Sequence, residues 1–412
     1  MTHLSKYRVF FTLGITGIVL LVALGAIFYA RGFKPNLKKG TIDRTGLIVA
    51  TSTPTGANVF LDGRLTSATN TNIAYLEPRT YKVRIEKDGY TTWEKDVDIK
   101  EDLATEINAL LFPLAPEIKP LTTTGSTNPT LSLDGAKIVY AVPGERGGLY
   151  LLPMDNSPFP FRQNTKLLAK NTPGTDYSKS RFIWNPDSKE LIARFEDENG
   201  TASANLLVDS EKSDQSAKDV TGSLAATLTS WQQILDERAK TSAILAPDSV
   251  KDATTSAQIA STKPSPTPKS VKQSPTTQNT KKTVNREPST VNLINYSPSG
   301  LMFSPDEEKI LYKNGEGKNK VYDLKLKKDY TLPDLTDLIN ISWFPDSKHL
   351  VIAQKDLISI IETDGNNKMT IYTGKFVNGF VFAHPSGSRL IILTTLTQAE
   401  NSLPNLYSIN LK

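Results

Sequence analysis

Residues 301–314, LMFSPDEEKILYKN, and 341–354, ISWFPDSKHLVIAQ, repeat one device: an apolar strand, a Pro-Asp turn, a short spacer and a second apolar strand. Three more copies read PTLSLDGAKIVYAV (129–142), FIWNPDSKELIARF (182–195) and FVFAHPSGSRLIIL (380–393). Asp134, Asp187, Asp306, Asp346 and Ser386 mark equivalent turns, at intervals of 53, 119, 40 and 40 residues. Removing one period from the longest interval leaves an insertion of about 79 residues, and a period near ~40–45 is that of four-stranded propeller blades. Proline pre-sets φ for the turn, while Asp or Ser bonds a backbone amide two residues on. Trp184, Phe303, Trp343 and Phe382 fall in the strand before the turn, where a large ring fills the wedge between blades. Further strands follow at Leu149–Leu152, Asn205–Val208, Lys320–Leu324, Ile358–Glu362 and Leu406–Leu411. Residues 116–412, less the insertion, give about 44 residues per blade for five blades. The last copy shows only three strands, so Ile118–Thr123 is expected to supply its fourth.

The segments resemble the WD40-like, TolB-type propeller repeat, whose core is Ser-Pro-Asp-Gly followed by an Ile/Leu strand. Ser304-Pro305-Asp306 is the best copy; Asn185, Phe344 and His384 replace the Ser elsewhere. The resemblance speaks to fold, because propellers host many activities.

Outward from the repeats, residues 44–115 alternate like short strands separated by the turns Pro54-Thr55-Gly56, Asp62-Gly63 and Asp88-Gly89, which predicts a β-sandwich. Pro54-x-Gly56-Ala57-x-Val59, the Asp62-Gly63 turn, Tyr81-x-Val83 and Gly89-Tyr90 resemble the PEGA domain. Thr55 replaces the Glu of the name motif, and Arg79 stands where that family usually has a turn Gly. The resemblance implies an extracytoplasmic binding or spacer module without catalysis.

Val9–Ala30 is 22 residues without a charge, about 33 Å as a helix against a hydrocarbon core of ~30 Å. Tyr7 and Tyr29 sit at interfacial positions. Lys6 and Arg8 also suit a cleaved signal peptide, but the run exceeds the usual h-region and ends on bulky Phe28 and Tyr29. A single-pass membrane anchor is the expectation, after a tail at 1–8 and before a basic linker at 31–43. Flanking Lys and Arg count towards a cytoplasmic C-terminal side. The two resemblances oppose that count and put the C-terminal domains outside the cytoplasm.

The chain of 412 residues holds 48 Lys plus Arg, 43 Asp plus Glu, three His and no Cys. Without Cys there is no disulfide framework, thiolate metal site or cysteine nucleophile. Residues 1–44 carry +6 and 261–290 carry +5, so the remainder is −6. That balance argues against a nucleic-acid-binding body. Within the insertion at 210–290, Leu224, Leu228, Trp231 and Leu235 form an apolar stripe on a helix expected at about 223–240, more suited to docking on the propeller than to a partner. Residues 261–290, rich in Ser, Thr, Pro and Lys, are expected to be a disordered, solvated loop.

No nucleophile elbow, P-loop, zincin helix or dinucleotide fingerprint occurs. His349 and His384 read as turn residues, since neither has a second ligand at metal spacing. Glu196–Glu198 and 364–367 (DGNN) lack the ligand run of a calcium loop and read as hairpin turns. No catalytic, cofactor-binding or metal-ligating residue is assigned, no cofactor is called, and the binding residues stay open. The fold class is all-β: a transmembrane helix, a small PEGA-like β-sandwich and a five-bladed β-propeller with a helical and disordered insertion. The expected function is non-catalytic binding or scaffolding of an envelope protein, wall polymer or glycan. The alternative is an accessory or sensor subunit of a separate membrane-bound hydrolase.

Overall fold

The computed structural model describes residues 3–30, 33–36, 41–154, 165–196, 202–245, 302–396 and 402–412. Two compact units emerge, Met1–Pro116 with Lys412, and Glu117–Leu411. The expected disordered loop at 261–290 lies outside the described residues.

The first unit opens with helix α1 (His3–Ala30). Its Phe11–Phe28 stretch has mean hydropathy 2.4 and no buried residue. A helix this long and apolar, with side chains such as Phe11 and Leu21 about 70% exposed, suits a bilayer in length and composition. The expected linker contains a backbone ladder, β1 (Phe33–Asn36) against β2 (Thr41–Arg44), from Phe33↔Arg44 to Asn36↔Thr41.

Two small sheets follow. One holds β3 (Gly46–Thr53) between β6 (Thr71–Leu76) and β9 (Ala104–Leu110), with β3 and β9 parallel. The other runs β5 (Arg64–Ala68), β4 (Asn58–Leu61), β7 (Thr80–Glu86), β8 (Trp93–Asp98). Alternate residues Ile48, Ala50, Val59, Val83 and Ile85 are fully buried in one core, as half-buried strands require. Asp62 and Gly63 take φ of 48° and 80° at the β4–β5 turn, where Gly and Asp tolerate the left-handed region.

Among the described residues the second unit holds five four-stranded antiparallel sheets. Sheet 1 is β11 (Thr127–Leu131), β12 (Lys137–Val142), β13 (Gly148–Pro153), β14 (Lys166–Lys170). Sheet 2 is β15 (Ser180–Trp184), β16 (Glu190–Glu196), β17 (Ala202–Asp209), β18 (Lys218–Asp219). After the insertion come sheet 3, β19 (Met302–Phe303), β20 (Lys309–Lys313), β21 (Asn319–Asp323), β22 (Lys328–Thr331), and sheet 4, β23 (Leu338–Trp343), β24 (His349–Gln354), β25 (Leu357–Glu362), β26 (Met369–Thr373). Sheet 5 takes β27 (Val381–Ala383), β28 (Arg389–Thr394) and β29 (Asn405–Asn410) from the C-terminus and β10 (Ile118–Pro120) from the start of the unit. Ile118 pairs with Ile409 and Pro120 with Tyr407, so chain ends some 290 residues apart share one ladder.

Each repeated turn is closed as its chemistry requires. The N–H groups of Ala136, Lys189, Glu308 and Lys348 donate to the carboxylates of Asp134, Asp187, Asp306 and Asp346 at 2.9–3.1 Å. Ser388 N–H donates to Ser386 Oγ at 3.3 Å in the fifth. The residue after this Asp or Ser is left-handed every time: Gly135, Ser188, Glu307, Ser347 and Gly387 have φ of 59–71°. Where it is Ser, its hydroxyl reaches the preceding sheet. Ser188 Oγ accepts from Asp134 N–H at 3.1 Å, and Ser347 Oγ from Asp306 N–H at 3.0 Å. The indoles do likewise, Trp184 to Thr130 O and Trp343 to Met302 O. Losing a hydrogen bond to a buried partner costs about 1–3 kcal/mol, and a left-handed non-Gly residue carries about 1–2 kcal/mol of strain. Ser347→Ala is therefore expected to destabilise the unit, with Ser347→Gly falling between it and wild type. Urea midpoints of the three proteins give the order, and equal midpoints would dismiss the latch.

Helix α2 (Leu224–Leu245) belongs to the insertion. Leu224, Leu228 and Trp231 are buried with Ile192 and Val220, against Ile183 and Leu207 of sheet 2. The apolar stripe thus lies on the face of sheet 2 opposite the one shared with sheet 1, whose residues are Leu191, Ala193 and Val208.

Candidate functional site

In each sheet the first strand of the repeat leads into the turn marked by Asp134, Asp187, Asp306, Asp346 or Ser386, so those strands begin at the opposite end of the unit. At that end lies a cavity of about 480 Å³ bounded by the starts of β11, β23 and β27 and by Pro404. Its apolar side is Val377, Phe380, Phe382 and Leu393. The rings of Phe380 and Phe382 meet edge to face, centroids 4.7 Å apart at 88°, a geometry the ring quadrupoles favour. Behind them Tyr140 and Tyr150 stack at 5.7 Å, and burial pushes the Tyr140 phenol up to about 12.

The strand starts are shaped by irregularities. The β11 register slips between Thr127 and Thr130, with Asn128 at φ 49°. The β23 register slips between Leu338 and Asn340, extruding Ile339, which stays 53% exposed. Bulges of this kind re-aim side chains beside binding sites. Gly379, at φ 65°, passes so close to Ile339 that a Cβ there would lie 2.4 Å from its Cγ2.

The lining residues include no ionisable group. Several polar side chains there are already engaged: Thr127 Oγ1 donates to Ala141 O at 3.0 Å, and Asn128 Nδ2 to Ser178 O and Ser180 O at 3.0 and 2.8 Å. The cavity therefore offers an apolar side beside a polar one whose hydrogen-bonding groups are partly engaged within the fold. Concave, mostly apolar pockets with few polar groups are where ligands bind.

The residues weighed from the sequence lie elsewhere. His349 opens β24, buried, with Nδ1 2.6 Å from Asp346 Oδ2 and its ring edge-on to Phe344. Desolvation pushes the Asp346 carboxyl up, but His349 and the Lys348 and His349 N–H groups outweigh it and hold it below the usual range. His384 is buried with Nδ1 2.7 Å from Ser386 Oγ. Both imidazoles are parts of Pro-Asp or Pro-Ser turns. At the 364–367 turn, Asn366 N–H donates to Asp364 Oδ1 and Asn367 Nδ2 to Glu362 Oε1. Glu196 pairs with Arg194 at 2.9 Å, while residues 197 and 198 lie outside the described residues. Among the described residues no group of three His, Asp or Glu is arranged to hold a metal. The sequence leaves the binding residues open, and this cavity is the candidate site.

In the first unit the two departures from the family pattern are accommodated. The Arg79 guanidinium meets Asp62 at 2.6 Å and covers the Tyr81 ring at 3.7 Å. That bond, with Lys82 N–H, holds the Asp62 carboxyl below its ordinary range. Lys87 Nζ donates to the Thr55 carbonyl at 2.5 Å.

Residues 45–114 match the PEGA domain family. Among solved structures the chain is similar to a putative TolB from Agrobacterium tumefaciens, at 13% identity over 69% of this chain and 78% of that one, TM-score 0.23. It is also similar to TolB from Acinetobacter baumannii (10% identity, 81% of this chain, 60% of that one, TM-score 0.23) and to the tricorn protease (8%, 80%, 27%, 0.22). No curated protein matches the chain. The described residues thus hold an N-terminal apolar helix, a unit matched over residues 45–114 by the PEGA domain model, and five four-stranded antiparallel sheets.

Proposed function

We propose that this chain is a membrane-anchored envelope protein that holds an extracytoplasmic protein partner in the cavity at the start of β11, β23 and β27. It acts by binding, without chemistry of its own. Helix α1 is the anchor, residues 45–412 lie outside the cytoplasm, and the five sheets close into one ring. The observation that carries the reading is the uncharged cavity, with Val377, Phe380, Phe382 and Leu393 along one side, framed by two bulged strands. Anionic wall polymer placed there would lose hydration without gaining a counter-charge, at a cost of several kcal/mol. A hydroxyl-dense glycan would meet few free partners, since Thr127 and the Asn128 Nδ2 are engaged. An apolar side chain of a protein needs neither charge nor hydroxyl partners, and anchors of this kind carry most interface energy.

The test is photo-crosslinking in intact cells from a diazirine amino acid at Ile339, with Leu326, 66% exposed, as the control. Leu326 lies in the β21–β22 turn, at the end of the strands away from the cavity. We expect discrete protein adducts from position 339 and not from 326. Adducts to wall material, or the same adducts from both positions, overturn the reading. A hydrolase among the adducts would make the chain that enzyme's accessory subunit. Protease added to spheroplasts is expected to digest residues 45–412; full protection reverses the topology.

A further inference from the structure

One wall of the cavity is also the seam where the two ends of the propeller unit meet. Beyond Pro120 the chain continues along β29, with the N–H groups of Leu121 and Thr122 donating to Leu406 O at 2.8 and 3.3 Å. Thr122 Oγ1 then accepts the Leu406 N–H at 2.9 Å. It donates to Asn405 Oδ1 at 3.1 Å and lies 2.9 Å from Ser126 Oγ, whose proton it takes. One hydroxyl thus gives its single proton and fills both lone pairs, the full capacity of a threonine. Asn405 Oδ1 accepts a second bond, from Gly125 N–H at 3.0 Å, and Ser126 N–H donates to Pro404 O at 2.7 Å. Ser126 and Leu406 are fully buried, and Thr122 nearly so.

The consequence for the cavity is direct. Ser126 and Pro404 both line it, whereas Thr122 and Asn405 do not. Bonds that join segments some 280 residues apart therefore fix the distance between two of its walls. Buried polar groups that are fully satisfied rigidify what they join, and losing one partner exposes the others to a desolvation penalty. Burial also makes the arrangement close to all-or-none, since an N–H freed here has no water to meet.

We propose that Thr122 and Asn405 are positioning residues for the cavity, so that occupancy of the cavity and closure of the β10–β29 seam are one coupled equilibrium. An occupant that favours the closed wall stabilises the seam, and a weakened seam lowers affinity by the same factor, since coupling is reciprocal. The proposal rests on the cavity being the binding site. It adds that residues touching no ligand control it, through the joint that completes the fold.

The test uses the full chain in lipid nanodiscs, with N-acetylphenylalaninamide, a soluble uncharged phenyl compound, as probe. Hydrogen exchange is followed at two places, the cavity segments 126–129 and 377–382, and the seam segments 118–122 and 404–409. In wild type the probe is expected to slow exchange at both. Asn405→Asp keeps the acceptor oxygen for Thr122 and Gly125 and gives up only the long, exposed Nδ2 bond to Leu403 O at 3.4 Å, so it is expected to keep the seam protection. Asn405→Ala is expected to bind the probe about tenfold more weakly, the equivalent of one lost hydrogen bond, and to lose the protection at the seam. Protection of the cavity alone, or equal affinity in Asn405→Ala, overturns the coupling and leaves the cavity reading standing. Absence of protection at both places in wild type overturns the cavity reading and the coupling with it. Should Asn405→Ala fail to fold, wild type and Asn405→Asp still decide, because the coupling requires seam protection in each.

Discussion

Deleting residues 405–412 is expected to unfold the propeller unit outright while residues 45–114 stay folded. Strand β29 pairs with β28 over six residues and with β10 over three. Its removal strips Leu406, Ile409 and Leu411, each at most 1% exposed, from the core. At about 1.5–3 kcal/mol per fully buried aliphatic side chain, those three alone approach the ~5–15 kcal/mol that holds a typical domain together. The deletion also leaves the β28 edge unpaired and removes the partner of β10. It dissolves the Thr122–Asn405 network as well, so the loss exceeds the side-chain figure. The first unit has its own core, built from Ile48, Val59, Ile85 and their neighbours. Amide exchange resolved by peptide should show residues 117–404 unprotected and 45–114 as slow as in the full chain. If the propeller amides keep most of their protection, β29 is a peripheral strand and the seam does not hold the unit.

Much of this architecture is legible in the sequence because it depends on local chemistry repeated five times. A turn with an Asp or Ser acceptor two residues before an N–H needs no distant information, and all five turns have the bond. The indoles of Trp184 and Trp343 reach the preceding sheet because a ring in the strand before the turn has one wedge to fill. The stripe on α2 is legible for the same reason. The surface beneath it is not, since β16 is apolar on both faces: Leu191 and Ala193 serve sheet 1 while Ile192 serves the helix.

The cavity escapes a reading by repeats for the opposite reason. It is built where the copies stop resembling one another, at or just before the start of each first strand. Asn128-Pro129 before one copy, the extruded Ile339 before another and Gly379 before a third have no counterpart in the period. Each local signal is weak alone. An Asn able to sit at positive φ and a Gly in front of a strand are ordinary loop residues until the fold brings them to one end. The Thr122–Asn405 bonds are further out of reach, because nothing in either segment names a partner some 280 positions away.

Gly379→Ala is the single substitution expected to cost the cavity most, and its cost separates into two parts. At φ 65° any side chain pays for the left-handed conformation, about 1–2 kcal/mol. The new Cβ also meets Ile339, at 2.4 Å from Cγ2 and 3.2 Å from Cβ. Those atoms branch directly from the backbone of β23, so no flexible end can swing away; the bulge itself must shift. Overpacking of this kind adds about 1–3 kcal/mol, which gives about 2–5 kcal/mol in total. Ile339→Ala alone removes a side chain that is half exposed and should cost little. In the double variant the 2.4 Å clash with Cγ2 is gone, leaving the 3.2 Å approach to the Cβ of residue 339 and the backbone strain. The pair should therefore be strongly non-additive, with the double variant more stable than Gly379→Ala by about 1–3 kcal/mol. Gly222, where a Cβ would meet nothing within 4 Å, supplies the control, and its change to Ala should be near neutral. Urea unfolding of the four proteins gives the cycle directly. Additive costs would mean that Ile339 does not sit over Gly379, and the bulged wall of the cavity would have to be redrawn.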